Sequence, residues 1–207
     1  MERRYVQAIK AGLVCGVIIS VIYLVISIAG LWLNSTPAMK SYNDQLTQPV
    51  KNMLENGTYN YSYTYKQYNQ PSAPVEYYIA MALSMLNLAV EVIGLFMAGV
   101  FAIRMVGQTK YSIEDSIGLG AIAGISAYVP LFIAMFIMSI VSMFTSTMGT
   151  LYSIMPALSM MLPVITICNA FCCCLPVGIV ISAVLGVVGA FGYVLVIGKL
   201  ERQARPV

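Results

Sequence analysis

The sequence predicts an all-α integral membrane protein: a four-transmembrane-helix bundle with a long external loop between helices 1 and 2 and a hydrophobic re-entrant or interfacial segment before helix 4. Three observations predict it. Of 207 residues, 59% are hydrophobic and 9% charged, against roughly 45–50% apolar and about 25% charged in soluble domains. Four apolar stretches are each long enough for a hydrocarbon layer of roughly 30 Å, which takes about 20 helical residues. Lys and Arg flank those stretches in a pattern that four crossings would gather on one side. A chain of this length and pattern has room for one membrane domain, 1–207, and no second soluble one.

The four spans fall at about 8–33, 76–103, 116–146 and 176–198. The first is too long for the apolar core of a cleavable signal, about 7–15 residues, and is expected to remain as a helix. Arg3, Arg4 and Lys10 precede it; Arg104 and Lys110 lie between spans two and three; Lys199, Arg202 and Arg205 follow span four. The positive-inside bias makes that side cytoplasmic, with both termini inside a cell membrane. The loop 34–75 is then external, its Lys40, Lys51 and Lys66 interspersed with Asp44 and Glu55.

The segment 147–175 has no charge, and Pro156 and Pro163 interrupt it. A fifth crossing there would carry Lys199, Arg202 and Arg205 outside, so the segment is expected to dip in or lie at the interface. Irregular backbone at that depth has to be buried against protein. In the external loop, Tyr59, Tyr61, Tyr63 and Tyr65 alternate with Asn60, Ser62 and Thr64. That period of two fits a strand or hairpin arm, and tyrosines lying on the headgroup layer fit it equally.

Small residues recur at intervals of three and four, the spacing of one helix face. Span one carries Ala8, Gly12, Gly16, Ser20, Ser27 and Gly30; span three Gly120, Gly124 and Ala127; span four Gly178, Ser182, Gly186 and Gly189. In lipid, where close packing drives association, such stripes are bundle seams; a glycine-lined conduit or lipid slot is the alternative.

Span two differs, with Ala80, Ser84, Asn87, Glu91, Gly94 and Ala98 on one face. Glu91 is the one ionisable acid or base away from the ends of the four spans, and an acid at that depth costs several kcal/mol and usually marks a pathway or a buried partner. Arg104 lies 13 residues further on, about 20 Å along a helix, out of reach. Without a cation, desolvation favours the neutral acid, hydrogen-bonded to neutral groups such as Asn87 one turn away. Counting equal depth from the cytoplasmic boundaries puts Ser20, Glu91, Tyr128 and Gly186 at one level, roughly 18 Å in. Asn87, Glu91, Ser20 and Tyr128 are therefore the candidate buried polar or ion site, for a proton, an alkali cation or a partner's polar group. The same four groups also read as a hydrogen-bonded clasp that sets bundle register.

No catalytic constellation, metal site or cofactor motif is expected. The chain has no His, the residue most used for acid–base and metal work near neutral pH. Cys15, Cys168, Cys172, Cys173 and Cys174 match no zinc or redox spacing and read first as small apolar membrane residues, with lipidation or pairing to another chain as alternatives. Glu114 and Asp115 follow Ser112 at the start of span three, where capping and the helix dipole explain them. Fourteen methionines suit irregular helix contacts, ahead of a copper path. The net charge of +3 is unclustered, which argues against nucleic acid. Asn56-Gly-Thr58 and Asn60-Tyr-Ser62 are possible glycosylation sites at Asn56 and Asn60, in the loop expected outside.

The layout resembles that of claudins and tetraspanins, and Gly30-Leu31-Trp32 resembles a claudin fragment. A claudin would carry a cysteine pair in the first loop, and a tetraspanin its cysteine motif in a larger second one. The loop 34–75 has no cysteine, and Cys172–Cys174 lacks a following glycine, so the chain is assigned to neither. The expected function is a non-catalytic structural or accessory subunit, with lipids and other membrane subunits or a second copy as partners. The alternative is a small proton- or cation-coupled transporter or channel using Glu91.

Overall fold

Two patterns in the sequence give two kinds of helix. Long apolar runs give helices that are hydrophobic nearly all round, as lipid-immersed helices are. A polar stretch with apolar residues every three or four positions gives a shorter amphipathic one. The computed structural model describes residues 2–56, 72–106, 113–142, 145, 168 and 170–203. Within them lie α1 (Glu2–Asn34), α2 (Pro37–Asn56), α3 (Val75–Val106), α4 (Ile113–Ser142) and α5 (Leu175–Gln203), the last entered through a π-helical turn at Ala170–Cys174. α1, α3, α4 and α5 are each long and apolar enough to cross a membrane.

These four pack as an alternating bundle. Contacts run α1 to α3, α1 to α4, α4 to α5 and α3 to α5. One core cluster joins Ala8 and Ala11 of α1, Ala102 and Ile103 of α3, Leu119 and Ala123 of α4 and Ala190 of α5. A second joins Ile19, Leu95, Ala98, Ala127, Tyr128 and Leu131. The first cluster therefore unites the start of α1, the end of α3, the start of α4 and the second half of α5. At that end Arg4 of α1 pairs with Asp115 of α4 at 3.8 Å; both side chains are about half exposed, so the pair adds little. The start of α1 and the end of α5 lie at this one end of the bundle.

The cores are built mostly of alanine, with Ile103 and Leu131 as the large side chains wholly enclosed. Large apolar residues point outward instead. On α1 the exposed set includes Leu13, Val17, Val21, Val25, Ile28 and Trp32, and on α5 Val177, Val180, Val184, Val188 and Leu195. This inversion suits lipid, where outward leucine and valine cost nothing and small residues let backbones approach. α4 runs unbroken through Pro130. Its ring lies against the bare Cα of Gly16, where an added Cβ would come within 2.6 Å of Pro130 Cγ.

Part of the expected loop 34–75 is helical. Thr36 ends the turn after α1, donating to the Leu33 carbonyl at 2.8 Å, and its hydroxyl caps α2 by accepting from the Met39 amide at 3.4 Å. Pro37 then occupies the first helical position, where its missing N–H costs nothing. Met39 is buried, and Tyr42 rests on Tyr77 of α3 with ring centroids 5.7 Å apart, fixing the first turns of α2 to the bundle. The Tyr59–Tyr65 alternation, Asn60 and most of 147–175 lie outside the described residues; Asn56 is the last residue of α2.

Candidate functional site

The seams come first because they position the polar groups. Gly12, Gly16, Gly120, Gly124, Gly186 and Gly189 each face a backbone carbonyl of a neighbouring helix, while Gly94 faces the Ile19 side chain and Gly178 that of Tyr128. A methyl added at Gly12 would overlap the Ala123 oxygen, and one at Gly16 the Ala127 oxygen, so α1 lies directly against α4. Gly120 and Gly186 face each other's carbonyls, Gly124 faces Ser182 and Gly189 faces Phe96, which brings α5 against α4 and α3. Gly30 differs: nothing lies within 4 Å of where its Cβ would be. The small-residue stripe of α1 is thus a seam in its first half and the wall of an opening in its second.

That opening is a cavity of about 390 Å³ between the end of α1, the start of α3 and the end of α4. Tyr23, Ser27, Asn34, Ser84, Asn87, Ser139 and Ser142 supply polar groups to its lining, while Ile26, Leu31, Leu83, Met135 and Met138 supply apolar ones. At its floor the Asn87 side-chain amide donates to Ser27 Oγ at 3.0 Å, tying α3 to α1. The Tyr23 hydroxyl is hydrogen-bonded to Ser27 in turn. Asn87 Oδ1 is closed off from solvent and has no partner, a position that usually costs about 1–3 kcal/mol until a donor arrives. Glu91, four residues on along the same face, can supply that donor when protonated.

Glu91 is half-buried between two registered contacts, Asn87 on Ser27 and Gly94 on Ile19, which sets it opposite Tyr23. The hydroxyls of Tyr23 and Tyr128 both lie close enough to feel its charge. Among the described residues no Lys or Arg reaches it. No family model, curated protein or solved structure matches the chain. The functional reading therefore rests on this site's own chemistry.

Of the four candidate residues, Glu91 and Tyr128 share a neighbourhood and Asn87 lies one turn along α3. Ser20 bonds within its own helix, donating to the Gly16 carbonyl at 2.6 Å. Tyr128 donates to the Cys174 carbonyl at 3.1 Å, and its ring fills the space that a side chain at Gly178 would take. Tyr128 is therefore level with Gly178. Gly186 packs two turns away, on Gly120 and Gly124, because α5 runs past the level at which α4 begins. Equal counting from the helix ends thus misplaced Gly186. Tyr23 and Ser27 are the site residues that depth counting passed over; Ser27 stood in the small-residue stripe, and Tyr23 lies one turn before it.

Below the site, Tyr128 begins an aromatic run. Phe132 lies 5.9 Å from it, and Phe171 of the π-helical turn packs edge-on against Phe132 and Phe136 at 5.7 and 5.6 Å. These rings hold the start of α5 on α4. Cys15, Cys168, Cys172 and Cys174 are free thiols, and no cluster of three metal-ligating side chains occurs among the described residues.

Proposed function

We propose that this chain is a non-catalytic structural or accessory subunit of a membrane complex, in a cell membrane, with both termini cytoplasmic. The observation that carries the reading is the amphipathic character of α2. It is a helix of 20 residues that Met39 and Tyr42 hold to the bundle at its first turns, while Leu46 is 45% exposed. An amphipathic helix beside a bundle of apolar ones fits a neighbouring chain or the headgroup layer. The tightly closed seams suit a scaffold, since glycine-to-carbonyl packing favours a fixed arrangement over a moving one. Membrane lipids and other membrane subunits, or a second copy, are the partners this reading implies, and nucleic acid is not among them. Purification in mild detergent tests it: a defined set of co-purifying membrane proteins is expected, and a monodisperse single-chain species would overturn it.

A second reading is favoured by one specific observation, the polar cavity that ends at Asn87 one turn from Glu91. An acid inside a span, one turn from a residue that lines a polar cavity, is an arrangement a small proton- or cation-coupled transporter would use. Flux in proteoliposomes that disappears with Glu91→Gln supports that reading, and flux indifferent to the substitution removes it. External exposure of the α1–α2 connection, with glycosylation at Asn56 and Asn60, follows from the same orientation. Mobility shifts after glycosidase treatment of the protein made in a glycosylating host test that placement.

A further inference from the structure

We infer that the cavity between α1, α3 and α4 binds a small organic monocation, an ammonium group on an apolar body, with the Glu91 carboxylate as its counter-charge. The inference deepens the second reading above and rests on it for a functional Glu91. At about 390 Å³ the cavity is far larger than a bare ion and falls in the range of pockets for small organic ligands, roughly 300–1,000 Å³. Its lining mixes two chemistries: the hydroxyls of Ser27, Ser84 and Ser139 can accept N–H bonds, while Leu83, Met135 and Met138 offer apolar surface.

The sign of the ligand follows from charge. Among the described residues no Asp, Glu, Lys or Arg lines the cavity, and the ionisable groups one turn from its α3 lining are both acids, Glu91 beyond Asn87 and Glu76 before Ala80; of the two, Glu91 lies within a span. Tyr23 connects the two, lining the cavity and lying within range of the Glu91 charge. Its ring can also receive a cation on its face, within about 6 Å of the centroid. A carboxyl with no cation beside it inside a span holds its proton, so entry of an ammonium is an exchange. The Glu91 O–H bond breaks, the proton leaves to water, and the carboxylate pairs with the incoming N–H groups; no electron is transferred. The titratable groups facing Glu91 are Tyr23 from α1 and Tyr128 from α4, with the Cys174 thiol beside Tyr128. Cys15 of α1 lies two turns further down the core, and from Leu175 to Gly192 α5 has no ionisable residue.

Calorimetric titration of phenethylammonium into the full chain in lipid nanodiscs, with empty nanodiscs subtracted, tests this in two buffers of different ionisation enthalpy. Saturable binding with protons released, rising toward one per cation as the buffer is made more acidic, is expected, and 2-phenylethanol, the same body without charge, binds at least about tenfold more weakly. Glu91→Gln releases no proton and loses at least about tenfold in affinity. Ser84→Leu, at an exposed position on the wall, removes binding while leaving the unfolding temperature unchanged. Equal binding of the neutral alcohol, unchanged affinity in Glu91→Gln, or no saturable binding would each overturn the inference. Binding and proton release without flux keep this site and remove the transport reading; Glu91-dependent flux without ammonium binding does the reverse.

Discussion

A carbonyl oxygen stands opposite Gly12, Gly16, Gly120, Gly124, Gly186 and Gly189, so the smallest side chain added there meets backbone that cannot rotate away. Gly124→Leu, which would overlap the Ser182 carbonyl, is expected to destabilise the bundle by about 1–3 kcal/mol or more through overpacking. Gly30→Ala, with open space around it, should change stability by less than about 0.5 kcal/mol. Reversible unfolding in mixed micelles measures both, and equal effects at the two sites would contradict the seam geometry. The Asn87–Ser27 bond should couple by about 0.6 kcal/mol, at most about 1.7, in a double-mutant cycle of Asn87→Leu with Ser27→Ala; strict additivity would show the bond to be idle. At this scale the sequence was informative wherever a helix period alone decides. Asn87 and Glu91 stand one turn apart, so their common face was readable. Their partners across the interface were not, because register between helices depends on where packed surfaces lock. That lock is Gly94 against Ile19 and Gly12 against Ala123, and no count from helix ends contains it.

Among the elements, α2 and the start of α5 each have an identifiable hydrogen bond that fixes their first turn. Thr36→Ala removes the hydroxyl that caps α2, a loss of typically about 1 kcal/mol, and should speed amide exchange in the first turns of α2 while leaving α1 and α3 protected. Tyr128→Phe keeps the ring over Gly178 and loses the bond to the Cys174 carbonyl. Faster exchange confined to the π-helical turn and the first turn of α5 is expected; exchange spreading through α4 would mean that the hydroxyl supports the bundle itself. α2 was legible in part. Thr36-Pro37 is a strong helix start, and Met39, Tyr42, Leu46 and Val50 recur at helical spacing. Polarity nevertheless marked the stretch as loop, because composition separates lipid from water more readily than helix from coil. The four spans were legible since length and hydropathy fix them together, and their ends moved by a few residues because polar flanks such as Glu2–Gln7 continue the helix beyond the apolar run.

For the whole molecule, α1, α3, α4 and α5 alternate in direction, so that the start of α1 and the end of α5 share one end of the bundle. Arg3, Arg4, Lys10, Arg104, Lys199 and Arg202 fall on helix segments at that end, which agrees with the positive-inside bias. The cavity, Asn87 and the α1–α2 connection fall toward the other. Reporter fusions decide the number of crossings, with green fluorescent protein and alkaline phosphatase each placed after Val207 and within 57–71. Four crossings with the positive side inside give fluorescence without phosphatase activity at Val207, and phosphatase activity without fluorescence within 57–71. The same reporter active at both positions would contradict the four-crossing bundle.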